Sequence, residues 1–162
     1  MIRGGGFGLP PFLFEARLRS PAACGRTTPP DATNGRSVFN YLLVFVGGGL
    51  GASLRHTINI ACAKCIGTAF PWGTFIINIT GSIVMGLIAG YLAFKGEASQ
   101  PWRLFLMTGV LGGYTTFSAF SLDTALLYER GALALAAAYV AGSVILSIAG
   151  LFAGLALMRS LS

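Results

Sequence analysis

From about residue 39 onward the chain is organised by hydrophobic runs rather than by alternation of polar and apolar positions. Four long apolar stretches follow one another, at about Phe39–Ala63, Gly73–Phe94, Trp102–Tyr128 and Ala132–Met158. Each supplies the roughly 20 residues that an α-helix needs to cross the hydrocarbon core of a bilayer. The polar interruptions are short (Lys64–Trp72, Lys95–Pro101 and Glu129–Gly131), so consecutive helices are predicted to run antiparallel. Phe70, Trp72, Trp102 and Tyr128 stand at stretch ends, where an aromatic belt meets the headgroups. The pattern predicts an all-α membrane domain of four transmembrane helices over residues 39–158.

Residues 1–38 read differently. Gly4-Gly5-Gly6, Pro10-Pro11 and Pro29-Pro30 punctuate them, and the apolar Phe7, Phe12, Leu13 and Phe14 are interrupted by proline. This stretch is predicted to be a disordered Arg/Pro/Gly-rich extension. It is rich in Arg and poor in acids, as targeting peptides are, but lacks the continuous apolar core of a secretory signal.

Composition sharpens the membrane reading. Charged residues make up 10% of the chain against about 25% in soluble domains, and mean hydropathy is +0.74. The net charge of +6 does not mark a nucleic-acid binder, because the basic residues form no stripe. Arg3, Arg17, Arg19, Arg26 and Arg36 precede the apolar region, and most of the others stand singly near stretch ends. Arg36, Lys95, Arg103 and Arg159 are assigned to one side of the membrane, Lys64 and Arg130 to the other. With the distal arginines discounted the bias is weak and permits insertion both ways round. No nucleophile–base set, phosphate loop or zinc motif appears, so no enzyme activity is predicted. Cys62-Ala-Lys-Cys65 has CxxC spacing but no second pair, and reads as two small residues at a helix end.

The third stretch carries the most unusual chemistry. Gly112-Gly113 followed by Thr115-Thr116 is poor helix material in mid-span. Unpaired backbone groups cost several kcal/mol each in lipid, so a break there is tolerated only if protein covers it or it lines an ion site. The alternative is an intact helix with Gly at a close crossing. Phe117 and Phe120 share a helix face, and their ring edges carry the positive part of the quadrupole. Asn78 is a mid-membrane amide in the second stretch, fit either for an interhelical hydrogen bond or for donating to an anion. Tyr139, Ser143 and Ser147 form a polar stripe at successive i+4 steps of the fourth. Gly47/Gly51, Gly86/Gly90 and Gly150/Gly154 are GxxxG pairs. Arg55 lies inside the first stretch near its far end, and His56 reads as interfacial.

Taken in order, these motifs resemble the fluoride-specific channels known as Fluc or CrcB. The carrying residues are Gly47-Gly48 through Gly51-Ala52 with Arg55, then Gly73-Thr74, Asn78 and Gly81-Ser82. Gly112-Gly113, Thr115-Thr116-Phe117-Ser118 and Phe120 follow, and then the Tyr139 stripe. The resemblance implies a dual-topology antiparallel homodimer in the cell inner or plasma membrane, with its third helix broken at Gly112-Gly113. It implies passive fluoride export through pores involving Asn78, Phe117, Phe120, Tyr139, Ser143 and Ser147, with Arg55 near a vestibule. It also implies a structural Na⁺ at the dimer centre, held by the backbone carbonyls of Gly112 and Thr115. The chain departs from the family at His56, where Tyr is frequent, at Leu151, where a polar residue is frequent, and at Asp123, where Glu is common. Two other classes remain open: a proton-coupled exporter using Asp123, the one embedded acid suited to it, and a non-transporting assembly subunit.

Overall fold

The computed structural model describes residues 34–95 and 100–161, and every element among them is helical. The elements are α1 (Asn34–Cys65), α2 (Trp72–Lys95), α3 (Gln100–Arg103), the π-helical segment π1 (Leu104–Leu111), α4 (Gly112–Tyr114), α5 (Phe117–Glu129) and α6 (Leu133–Ser160). Among the described residues three helices are long and apolar enough to cross a membrane: Gly35–Cys65 within α1, Trp72–Ala93 within α2, and α6.

The predicted boundaries hold to within two residues, with one exception. α1 begins at Asn34, so residues 34–38 are helical rather than part of a disordered extension. Past Pro29-Pro30 nothing forbids helix, and lengthening an existing helix adds a hydrogen bond per residue without a new nucleus. The predicted disorder of the preceding residues lies outside those described.

The break in the third stretch also needs correction. The resemblance implies a break at Gly112-Gly113, yet the chain stays helical there, with Gly112 at φ −64° and ψ −36°. It opens at Thr115 (φ −77°, ψ 157°) and Thr116 (φ −154°, ψ 121°). The threonines, β-branched, suit extended backbone. Gly113 serves a different purpose, close helix approach. A Cβ on Gly113 would lie 2.9 Å from the Cα of Gly48 in α1, and one on Gly47 would lie 2.7 Å from the carbonyl oxygen of Phe105. Preceding the break, Gly112 N–H reaches back five residues to the Met107 carbonyl, the π pattern that often accompanies functional sites.

Helix directions follow from the same contacts. Gly47 meets π1 at Phe105 and Gly109, and Gly51 meets Val110 and Tyr114, so α1 runs parallel to the third stretch. Gly86 and Gly154 lie at the α2–α6 crossing, where Gly142 faces Phe75 and Gly90 faces Met158; these helices are parallel too. Gly73, at the start of α2, abuts Asn59, late in α1, so those two are antiparallel. All three GxxxG pairs therefore pack helices within one chain. Gly51→Ala would press a methyl group into the Val110 carbonyl and 2.8 Å from the Tyr114 amide. Its expected cost is about 1–3 kcal/mol, to be read as a lower unfolding temperature in detergent.

Two small clusters form the core. Ile77, Leu111 and Tyr114 join α2 to the third stretch. Leu127, Ala136 and Tyr139 join α5 to α6, with Phe70, Phe75 and Phe120 around them. Elsewhere large side chains point outward: Phe45 is 79% exposed, Ile145 63% and Phe152 62%. Such a surface is stable against lipid or another protein chain, not against water.

Candidate functional site

The site is built around the break. Where the helix stops at Tyr114, Asn78 of α2 takes over its hydrogen bonding. Thr116 N–H donates to Asn78 Oδ1 at 2.9 Å, and Asn78 Nδ2 donates to the Thr116 carbonyl at 3.1 Å. The two bonds together fix the orientation of the amide. In an unbroken helix the Thr116 N–H would return to the Gly112 carbonyl, so the staple releases that oxygen from its helical donor. Thr116 then caps α5, its Oγ1 accepting from Ala119 N–H at 3.2 Å.

Neighbouring contacts hold the junction in place. Thr115 Oγ1 donates to the Leu111 carbonyl at 2.9 Å. The Thr80 hydroxyl bonds to the Ile76 carbonyl at 2.7 Å and pairs with the Tyr114 hydroxyl at 2.9 Å, tying α2 to α4. Gly81 leaves room for the Thr115 methyl group. Arg55 reaches the Thr115 carbonyl through Nη1 at 3.5 Å, a long contact that brings a cation beside the break.

A cavity of about 380 Å³ opens next to this junction, bounded by Asn78, Thr115, Thr116, Phe117, Phe120, Ser143 and Ser147. It is mostly apolar, with polar atoms at few points. Two of them are unusual: the hydroxyl oxygens of Ser143 and Ser147 are buried and have no hydrogen-bond partner among the described residues. Serines in membrane helices ordinarily bond back to their own backbone, as Ser121 does to Phe117 O. A buried hydroxyl left unpaired costs about 1–3 kcal/mol, so these two call for a polar guest.

The aromatic residues form a chain leading away from the cavity. Phe117 and Phe120 have ring centroids 5.5 Å apart, and Phe120 lies 5.3 Å from Tyr139. Tyr139 is fully buried and donates its hydroxyl to Asp123 Oδ2 at 3.3 Å. It stands behind Phe120 and does not line the cavity, unlike the serines with which it shares a stripe. Asp123 in turn borders a second cavity of about 310 Å³, together with Asn59, Thr74 and Arg130.

Of the site residues named from the sequence, six border the first cavity: Asn78, Thr115, Phe117, Phe120, Ser143 and Ser147. Arg55, Gly112 and Tyr139 do not line it, and Thr115 belongs to both the cavity wall and the break. The sequence marks Thr116 only as poor helix material and as part of the family motif, not as the cap of α5, and it gives no sign of the Thr80–Tyr114 pair. The placement of Thr116 three residues before Ala119 at a helix start is an N-cap signal that could have found it; the hydroxyl pair spans 34 positions and had no local signal.

The family description "CrcB-like protein, Camphor Resistance (CrcB)" matches residues 42–155, a stretch that contains the whole arrangement. The chain belongs to the CrcB family. Among its relatives is the "Fluoride-specific ion channel FluC 2" of Nitrobacter hamburgensis, 74% identical over 123 residues, which are 76% of this chain and 99% of that protein. The "Fluoride-specific ion channel FluC" of Rhodopseudomonas palustris is 72% identical over 122 residues, covering 75% of this chain and 98% of the relative. The protein of that name from Methylobacterium nodulans is 58% identical, with the same two coverages. As a CrcB protein with several helices fit to cross a bilayer, the chain is a multi-pass membrane protein and not an enzyme.

Proposed function

We propose that this chain is a subunit of a fluoride-selective channel that lowers cytoplasmic fluoride by passive export across the inner or plasma membrane. The observation that carries this reading is the pair of orphan hydroxyls, Ser143 and Ser147, buried beside the Phe117–Phe120 ring pair. A small anion is the guest those groups suit. The hydroxyls donate to it, as does the second Asn78 N–H, and the ring edges stabilise it without a formal charge. Neutral donors bind weakly enough for release, which conduction requires. The names of the relatives agree with this ion.

In this reading the pieces α3, π1, α4 and α5 together make one broken crossing, so that each subunit crosses the membrane four times. Phe117 is 79% exposed on the single chain although it borders the cavity. A pore there is completed by a second copy, and the reading adopted is a dual-topology antiparallel homodimer with two pores. The Gly112 and Thr115 carbonyls near the dimer centre suit a structural Na⁺, a hard cation that prefers oxygen ligands. The loss of the helical donor to Gly112 supports this fit. Such an ion would neutralise and lock the two breaks against each other. Arg55 would lie at the vestibule.

The test is efflux from liposomes holding fluoride or chloride, followed with ion-selective electrodes. Fast, voltage-driven fluoride efflux without chloride efflux is expected. Equal loss of both anions, or transport that needs a proton gradient and stops in Asp123→Asn, would overturn the proposal. Ser147→Ala is expected to slow fluoride efflux several-fold while leaving stability unchanged or raised by about 1 kcal/mol, because an unpaired buried hydroxyl is removed.

A further inference from the structure

The first cavity has a wall on each of two parallel helices, α2 and α6. On α6 it is lined by Ser143 and Ser147, and the next i+4 step of that face is Leu151, so the hydroxyl stripe stops there. Around that step the lining turns apolar, with Ile148 and Leu151 from α6 and Met85 from α2. An anion moving beyond Ser147 along α6 meets no donor, and a charge buried without hydrogen bonds is costly.

The facing helix supplies a donor at that point. On α2, Ser82 follows Asn78 by four residues, and both line the cavity, so they share one face. Contacts at the α2–α6 crossing give the level of Ser82. A Cβ on Gly86 would run into the Leu151 carbonyl, and one on Gly150 would lie 2.7 Å from the Ile83 side chain. With the helices parallel, these contacts set Ser82 between the levels of Ser147 and Leu151. It stands where the stripe on α6 gives out.

The Ser82 hydroxyl is also uncommitted. Other hydroxyls in this fold turn back on their own helix: Thr57 donates to the Ser53 carbonyl, Thr80 to that of Ile76 and Ser121 to that of Phe117. Ser82 makes no such bond, nor any other among the described residues.

We infer that Ser82 is a further anion-binding residue of the ion path, and that the polar track crosses there from α6 to α2. This rests on the fluoride-channel reading. Asn78, Ser143 and Ser147 hold the ion in one part of the cavity, and Ser82 receives it at the next step, donating a hydroxyl where Leu151 has none. A neutral donor at this step keeps the ion bound weakly enough to leave. Because positions 82 and 151 face the same part of the cavity from opposite walls, a hydroxyl at either one keeps the track continuous.

The test moves the hydroxyl from one wall to the other. Ser82→Ala, Leu151→Ser and the double variant are placed in liposomes at matched protein, with the dimer checked by size exclusion and the unfolding temperature measured in detergent. Initial fluoride efflux is then compared with the wild type. Ser82→Ala should slow efflux several-fold with no fall in unfolding temperature. The double variant should regain most of that loss, with Leu151→Ser alone as its reference. Wild-type efflux from Ser82→Ala overturns the inference. Slowing that Leu151→Ser leaves in place also overturns it, because a packing role for Ser82 is not relieved by a hydroxyl on the opposite wall. Silence from folded, dimeric wild-type protein is a separate failure, which removes the channel reading and this inference together. A conducting wild type with an unimpaired Ser82→Ala removes the role of Ser82 and leaves the channel.

Discussion

Phe117→Ile is expected to lower fluoride efflux about tenfold without unfolding the subunit. The ring of Phe117 is 79% exposed on the single chain, so its loss removes little internal packing. What it removes is the aromatic edge beside Phe120, 5.5 Å away between centroids. Aromatic electrostatics of this kind are worth about 0.5–1.5 kcal/mol, and 1.4 kcal/mol is a factor of ten. Isoleucine keeps the bulk and hydrophobicity but has no quadrupole. Initial efflux rates from liposomes, at matched protein and with the dimer checked by size exclusion, would decide it. Normal flux would withdraw the assignment of Phe117 to the ion path.

Asn78→Asp is expected to damage both stability and flux, and to cost more than Phe117→Ile in each. Asn78 is the link across the break, accepting from Thr116 N–H and donating to the Thr116 carbonyl. An ionised aspartate keeps the first bond, loses the second and sets a negative charge against a carbonyl oxygen. It also places that charge at a cavity proposed to hold an anion. Leaving a buried carbonyl unsatisfied costs about 1–3 kcal/mol, and a membrane environment offers no water to replace the lost donor. A lower unfolding temperature and fluoride efflux reduced well beyond tenfold should appear together. Asn78→Ala, which loses both bonds without adding a charge, separates the two effects. If it is as unstable as Asn78→Asp but conducts better, the charge accounts for the difference in flux. Wild-type stability in both variants would show that the staple does not hold the break.

The two roles left open for Asn78 in the sequence turn out not to compete. Its amide makes the interhelical bond and retains one N–H for a ligand. The third stretch likewise combines both of its readings: the glycines make a close crossing and the chain nevertheless breaks, two residues later. The choice between residues 112–113 and 115–116 could not be read locally, because weak helix propensity marks all four positions. Gly113 packs against Gly48 of α1 in its helical form, while the Thr116 amide finds a partner 38 positions away in Asn78.

The stripe on α6 shows the same division. Its i+4 spacing correctly puts Tyr139, Ser143 and Ser147 on one face. Which of them meets a cavity depends on what stands opposite. Phe120 covers Tyr139, Asp123 takes its hydroxyl, and Ser143 and Ser147 are left without partners among the described residues.

By itself the sequence determined the helical membrane class, the positions of the apolar stretches and the set of residues from which the site is drawn. These depend on composition and periodicity, which act within a single segment, because each bilayer-crossing helix must satisfy its own backbone. Only the tertiary structure decided where the third stretch opens and which hydroxyls stay unpaired. Each of those is a relation between segments far apart in the chain, set by the direction and contact of neighbouring helices.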